Sequence, residues 1–484
     1  MKAFKEQGYF WWPEKKDEKF FGFLEYDPIK GGSLKIVHTD IIDDKIKDQK
    51  ARLKKANDLI KQFGSTHKII LGCRRKDNRG ATWTLYNCNG YKGDNTSFFY
   101  IEKIFSNNLF SSEDRIKYKM LALYLPMLEF WVKENIIKLP FNEYHNGKEG
   151  YGVHVLPKKT ILSKVRNNLT IKFCISTNYK KGNVYCNIQK KPYFLLNYTK
   201  NTHIDEIERD LNHLKNFISL ATSEPVFLEK IWSYNKERLH TKEIFIRRDH
   251  TTKDLNGRLM YEIFYFEDLE KIGFKKALKN WYFEYNQLKH IYDMFFLTYY
   301  TQNLIGFQFL SLAQALDSYT WIFLEKEKND YVINTVEFKK RKNELLECIS
   351  DSKKDKYRKW LNKYLTNNAK NINYEDRISN LVLSFEFIRK IPNFNNFVKA
   401  IAQTRHAISH GDSEEKKKRN PFCYEGEDLY WLFYGAKMIL TAVFLRKIGF
   451  PDDKIIECLK RFYEYRKILE GEYKFEEKIV EVEK

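Results

Sequence analysis

The sequence predicts an α+β protein: a β-rich α+β region over residues 1–274, an all-α bundle over 275–470 and a charged tail over 471–484. Three observations carry this reading. Period-two apolar patterns and clustered glycines fill the first part, as in Gly31-Gly32, Gly80, Gly90 and Gly93. From about Lys275 glycine becomes rare and long 3.6-residue periods take over. A length of 484 residues exceeds one domain at about 150 residues each, and 43% hydrophobic with 16% aromatic residues is ample for packed cores.

Strands are expected at Phe20-Phe21-Gly22-Phe23-Leu24, Lys68-Ile69-Ile70-Leu71, Thr82-Trp83-Thr84-Leu85-Tyr86 and Leu169-Thr170-Ile171-Lys172-Phe173. A further β-rich run spans Lys242 to Phe266. Ile204, Ile207, Leu211, Leu214 and Ile218 recur at helical spacing, which predicts a helix over Ile204–Leu220. Leu121–Val132 is the apolar stretch chosen as a buried element; Pro126 and Glu129 interrupt it and it is too short to span a bilayer.

In the second part helices are expected at Phe274–Glu284, Gln287–Leu324, Thr335–Cys348, Lys354–Leu365, Ile378–Arg389, Asn393–His410, Glu427–Ile448 and Asp452–Leu469. Gly449-Phe450-Pro451 marks one helix stop and the next start. Glu470–Lys484 alternates charges and reads as a frayed helix or a disordered tail.

The net charge of +21 and a pI near 9.3 point to an anionic partner, nucleic acid or an acidic membrane surface. A chain rich in Lys, Asn, Ile, Tyr and Phe, as an AT-rich genome encodes, would carry the same charge, so basicity alone decides nothing. Seven scattered cysteines without a C-x-x-C pair, and no apolar signal core after Met1, lead to the expectation of a reducing cytoplasm. No G-x4-G-K-[ST] loop is present, so no nucleotide hydrolysis and no cofactor is expected.

The run Thr404-Arg405-His406-Ala407-Ile408-Ser409-His410-Gly411 is the candidate for chemistry, although a surface arginine and a helix-ending histidine give the same pattern. On a helix Asn393–His410, Phe397, Ile401, Thr404 and Ile408 form the core stripe, and Gly411 supplies the stop. His410 then sits in the last turn, at the negative end of the helix dipole. Arg405 can hold a phosphoryl oxygen, and His410 can move a proton near neutral pH. Together they suit cleavage of RNA by its own 2′-hydroxyl, leaving a 2′,3′-cyclic phosphate. Five residues place the two side chains ~140° apart on an ideal helix, an offset that a symmetric dimer relieves by facing two such pairs across one groove.

His406 and His410 have the i,i+4 spacing of zinc ligands, but Ala407 stands where H-E-x-x-H needs glutamate, and no metal is expected. Lys416, Lys417, Lys418 and Arg419 can track an RNA backbone, though a solvated loop explains them equally well. Trp11-Trp12 reads as the core or edge of a β-domain before it reads as a pair that stacks on a base or binds a partner.

Spread along the chain, these motifs resemble one family. Arg405-His406-x3-His410 in a helical region is similar to the HEPN ribonuclease motif, with His406 in its polar slot. Phe309-Leu310-Ser311-Leu312-Ala313-Gln314-Ala315-Leu316-Asp317 resembles the first long helix of ApeA-like HEPN domains, with Asp317 as its acidic residue. Gly8-Tyr9-Phe10-Trp11-Trp12-Pro13, Phe21-Gly22-Phe23-Leu24, Gly80-Ala81-Thr82-Trp83-Thr84-Leu85 and the segment Asn216–Val226 resemble the domain that precedes it in ApeA-type anti-phage proteins.

The resemblance implies a bacterial defence protein that halts growth of an infected cell. It implies a metal-independent, dimeric endoribonuclease acting on structured RNA such as tRNA. Arg405 and His410 would be catalytic, with His406, Asp317 and Ser409 in support. The N-terminal domain would restrain the nuclease or sense a phage protein. No membrane partner is implied. The competing reading is a catalytically silent HEPN module that dimerises or binds RNA or protein.

Overall fold

The computed structural model describes residues 2–37, 66–77, 80–92, 96–133, 137–138, 143–145, 148–150, 154–155, 159–181, 186–233, 242–247, 262–301, 303–327, 335–349, 355–360 and 373–478. The chain divides into two units, Met1–Phe283 and Glu284–Lys484. The α+β reading holds, with strands filling the first unit and helices the second.

The first unit is built on β1 (Phe4–Trp11), β2 (Phe20–Asp27), β3 (Gly31–Val37), β4 (Thr66–Cys73), β5 (Thr82–Lys92) and β6 (Thr96–Ser106). These pair antiparallel in the order β1-β2-β3-β6-β5-β4, and β4 returns to β1, so the sheet closes into a six-stranded barrel. Alternate residues point inward, among them Phe10, Leu24, Leu34, Ile70, Leu85 and Phe99, and fill it. Trp11 and Trp12 are both 4% exposed, which removes the base-stacking reading and makes them core. Gly8 faces Gly22 across β1 and β2; a Cβ on Gly8 would lie 2.6 Å from the Cys73 carbonyl, so the opening motif needs glycine there.

One edge of β6 serves two partners. Its first half pairs with β3, and Lys103–Phe105 pairs with β16 (Lys242–Ile246). There the barrel opens into a second antiparallel layer, continued by β15 (Lys230–Ser233), β7 (Lys117–Tyr124), β14 (Cys186–His203), β13 (Leu169–Lys181) and β12 (Lys159–Arg166). Two small ladders, Ile137–Lys138 with His154–Val155 and Glu143–His145 with Lys148–Gly150, lie between β7 and β12 in sequence.

The layer buries one face. Phe173 on β13 and Phe194 on β14 meet with ring centroids 5.0 Å apart, and Phe173 also packs on Trp131, Phe266 and Phe274. The expected helix Ile204–Leu220 is present as Ile204–Thr222, with its apolar stripe buried. Arg166 ties the layer to that helix through Glu206 at 2.8 Å and the fully buried Asp210 at 2.7 Å. Leu121–Val132 is mostly buried, split between β7 and a short helix at Leu128–Trp131, with Phe130 47% exposed. Of the run Lys242–Phe266, residues 248–261 lie outside the described residues, as does Gly93.

The second unit contains α1 (Lys289–Tyr300), α2 (Ile305–Glu327), α3 (Thr335–Glu347), α4 (Tyr374–Leu383), α5 (Glu386–Arg389), α6 (Phe394–His410), α7 (Glu414–Lys418), α8 (Gly426–Ile448), α9 (Asp452–Lys460) and α10 (Tyr463–Leu469). At its centre α8 is buried on most sides from Leu429 to Ile448, and its one mid-helix charge, Lys437, sits 3.8 Å over the Tyr299 ring. It is long and apolar enough to cross a membrane, and 78% of its most apolar window is buried inside the protein.

Four expectations need correction. The helices expected over Ile378–Arg389 and Asp452–Leu469 are each two helices, α4 with α5 and α9 with α10. The single helix over Gln287–Leu324 is broken: Thr301 leaves helical geometry and closes α1 through its hydroxyl on the Leu297 carbonyl at 2.8 Å. The helix expected from Ile378 starts a turn earlier, because Asn373 caps it by accepting from the Asp376 N–H at 2.8 Å. The tail is ordered through Lys478: Phe475 is fully buried against Phe397 with ring centroids 4.4 Å apart, and Tyr473 donates to Asp428 at 2.8 Å. Residues 479–484, like 361–365 of the expected helix Lys354–Leu365, lie outside the described residues.

Candidate functional site

The site grows from α6 and its two ends of contact. Phe397, Ile401 and Thr404 are buried as the core stripe demands, while Ile408 is only half-buried. Thr404 does more than fill space. Its hydroxyl donates to the Phe422 carbonyl at 3.0 Å and accepts from the Tyr424 N–H at 2.9 Å, pinning the returning chain beside the helix end. Gly411 stops α6 in left-handed geometry at φ 61°. The Asp412 N–H reaches the Ala407 carbonyl at 3.0 Å and the Gly411 N–H reaches Ile408 at 3.4 Å, the paired bonds of a Schellman stop.

Arg405 points toward α2 and α4. One of its terminal nitrogens donates to Asp317 at 3.1 Å and lies 3.4 Å from the Gln314 amide oxygen. The other oxygen of Asp317 is taken by Arg377. Tyr374 lies between the cations, its ring centroid 5.1 Å from the Arg405 guanidinium and 5.6 Å from that of Arg377. Arg377 also stacks over Trp321 at 4.2 Å. The Tyr374 hydroxyl donates to the Ala313 carbonyl at 2.6 Å, and burial together with the Asp317 charge pushes its ionisation far up.

The charges in this cluster do not cancel. Two guanidiniums share one carboxylate, with Arg377 8%, Asp317 14% and Arg405 26% exposed. The Arg405 Nε is buried without a hydrogen-bond partner among the described residues. Arg405 is thus anchored through one terminal nitrogen while its side chain stays 26% exposed, so its guanidinium can meet an anion.

His410 stands exposed at the end of α6, one turn on from His406, with ring centroids 4.4 Å apart. The Lys416 ammonium, 2.5 Å away, holds the Asp412 carboxyl below its usual range, and both imidazoles add to that effect, which places Asp412 within electrostatic reach of the two histidines. Ser409 is exposed beside them. No hydrogen bond or ion pair joins His410 to Arg405 among the described residues. The structure brings Asp317 to Arg405 and His406 to His410.

Lys416, Lys417 and Lys418 lie on the short helix α7 with Arg419 just after it, and two of the four are engaged. Lys416 pairs with Asp412, and Lys417 pairs with Glu414 at 2.8 Å and Glu425 at 3.4 Å; Lys418 and Arg419 are exposed. Sequence reasoning missed Tyr374, Arg377 and Asp412. The signal for the first two was the cap at Asn373 followed by Glu375-Asp376, which starts the helix early enough to carry both on one face.

An all-α unit presenting Arg405 and His410 on one helix defines a HEPN-type domain. Residues 310–454 match the Apea-like HEPN family, and residues 5–281 match ApeA N-terminal domain 1. The second match covers more than half of the chain and ends two residues before the compact unit does. The chain belongs to the ApeA family of anti-phage HEPN proteins. No curated protein and no solved structure matches it.

Proposed function

We propose that the chain is a metal-independent RNA endonuclease of anti-phage defence, active as a homodimer. The observation that carries this reading is the anchored, partly exposed Arg405 on the helix that ends in exposed His410. In the reaction the ribose 2′-hydroxyl attacks the adjacent phosphorus and the bond to the 5′-oxygen breaks. His410 of one chain takes the 2′ proton, and a second His410 returns one to the leaving 5′-oxygen. Arg405 holds the charge that builds on the phosphoryl oxygens. Asp317 fixes Arg405, and His406 with Ser409 border His410.

A second copy is part of this reading because five residues set Arg405 and His410 ~140° apart on an ideal helix, and two such pairs facing across one groove would relieve that offset. Phe307, Gln314 and Trp321 recur every seven residues along one side of α2, and Leu304 lies just before its first turn; Leu304 is 76% and Phe307 60% exposed. That apolar side carries the Arg405 anchor and suits a second copy. The substrate is host or phage RNA, with tRNA as one structured candidate. The response is abortive infection in the cytoplasm, with the N-terminal unit restraining the nuclease until a phage protein is sensed. Lys418 and Arg419 remain available for RNA phosphates.

The silent-module reading draws on one observation, the engagement of Arg405 with Asp317 rather than with His410. Expression of the wild type and an Arg405→Ala/His410→Ala variant separates the two. The nuclease reading expects phage protection and cut RNA from the wild type only. Equal protection with intact RNA in both would leave the silent module standing. Loss of cleavage in EDTA would overturn the metal-independent mechanism, and a monomer with and without RNA would overturn the composite site.

A further inference from the structure

The positive charge is concentrated away from the HEPN unit. Residues 1–283 hold 51 lysines and arginines against 34 aspartates and glutamates, so +17 of the net +21 lies there. Within it, residues 151–204 contain ten lysines and arginines and no acidic residue. This acid-free stretch contains β12, β13 and β14, three adjacent strands of the open layer.

The strand register sorts those cations by face. Phe173 and Phe194 point into the core, whereas Lys164 lies opposite Thr170, Lys172 between Leu162 and Leu195, and Lys191 opposite Ser176, all on the other face. None of these three lysines pairs with a carboxylate among the described residues. Arg166, by contrast, is committed to Glu206 and Asp210. Leu162 is 54% exposed beside Lys172, so this face is open to solvent.

That face runs into a cavity of about 790 Å³ where the layer meets the barrel. Lys191, Tyr193, Trp232 and Phe4 line it. The Tyr193 and Trp232 rings stand 6.3 Å apart at 40°, and Trp232 is half-buried. Two carboxylates also line the cavity, Glu229 and Glu243, and Glu243 pairs with Lys230 at 2.8 Å. A lysine row that ends at an aromatic-walled cavity matches one ligand chemistry: a phosphate backbone carrying flat, unstacked bases.

We propose that this open sheet face binds a single strand of nucleic acid. Its phosphates follow Lys164, Lys172 and Lys191, and a base enters the cavity against Trp232 and Tyr193. The site lies wholly in the N-terminal unit and is independent of Arg405 and His410. A duplex fits poorly, because its bases are stacked and cannot enter the cavity. The face gives the N-terminal unit a ligand of its own, distinct from the strand that would be cut.

The test uses the full-length chain and fluorescent oligothymidylate, which lacks the 2′-hydroxyl and so survives the proposed nuclease chemistry. Binding is followed by anisotropy across a salt series. Lys172→Glu/Lys191→Glu is expected to weaken binding at least tenfold and to lower the salt slope by roughly 1.4, two phosphates at about 0.7 each. Trp232→Ala is expected to weaken it about tenfold with the slope unchanged, the signature of lost stacking. Tyr193→Leu serves if Trp232→Ala fails to fold, and Lys390→Glu in the HEPN unit is expected to bind as wild type. The proposal is overturned if the lysine and aromatic variants all bind as wild type. It is equally overturned if duplex binds as tightly as single strand with no effect of the aromatic variants, or if anionic vesicles or a phosphopeptide are bound in preference.

Discussion

Replacing Asp317 by asparagine keeps the side chain's size and removes the one negative charge between Arg377 and Arg405. Arg377 is 8% and Asp317 14% exposed, so the cations left behind are screened little by water. Breaking a buried ion pair by removing one partner costs about 3–5 kcal/mol. Partial exposure of Asp317 and Arg405 puts Asp317→Asn near the lower end, about 3 kcal/mol. Arg377→Met leaves Asp317 with Arg405 at 3.1 Å, so about 2 kcal/mol is expected. Arg405→Ala leaves the better-buried Arg377 in place and is expected to cost about 1 kcal/mol or less. The double variant Asp317→Asn/Arg377→Met is expected to fall short of the sum of the two by about 1–2 kcal/mol, because both remove the same contact. Urea unfolding followed by circular dichroism reads all four. In thermal unfolding the Asp317→Asn loss corresponds to roughly 6–12 °C for a unit of this size. Arg405→Ala destabilising as much as Arg377→Met, or additive costs in the double variant, would refute the division between a structural and a functional arginine.

Two further expectations concern other parts of the chain. Burial raises Asp210 from 3.8 to about 6 against the opposing pull of Arg166. The folded state therefore binds the extra proton between about pH 4 and 6, so this group's contribution to stability falls as pH rises through that window, by about 2–3 kcal/mol. The stability difference between wild type and Asp210→Asn should follow that slope, and a flat difference would contradict it. Phe475→Ala should cost about 3–5 kcal/mol, because the ring is fully buried against Phe397; a change within 0.5 kcal/mol by unfolding would show that the tail is not docked.

The sequence carried local elements well because their signals are local. Ile204–Thr222 keeps one apolar stripe, and the stops at Gly411 and Gly449 are written in single residues with left-handed geometry. Barrel closure was not legible. It depends on β1 reaching β4 and β5 reaching β6, pairings that an alternating pattern permits but does not choose. The site was half legible: Arg405, His410 and Asp317 stand in recognisable motifs, but Arg377 meets Asp317 across 60 residues and has no motif of its own. The tail failed for a different reason. Its alternating charges hid Tyr473 and Phe475, two aromatic residues sufficient to hold it against α6 and α8.

The most direct test of the central claim is a cleavage assay with the purified full-length chain, mapping the chemistry of new RNA ends. The account predicts cuts that end in a 2′,3′-cyclic phosphate, persist in EDTA, and disappear in folded His410→Ala and Arg405→Ala variants. Cuts that end in a 3′-hydroxyl, or that survive unchanged in both variants, would contradict it.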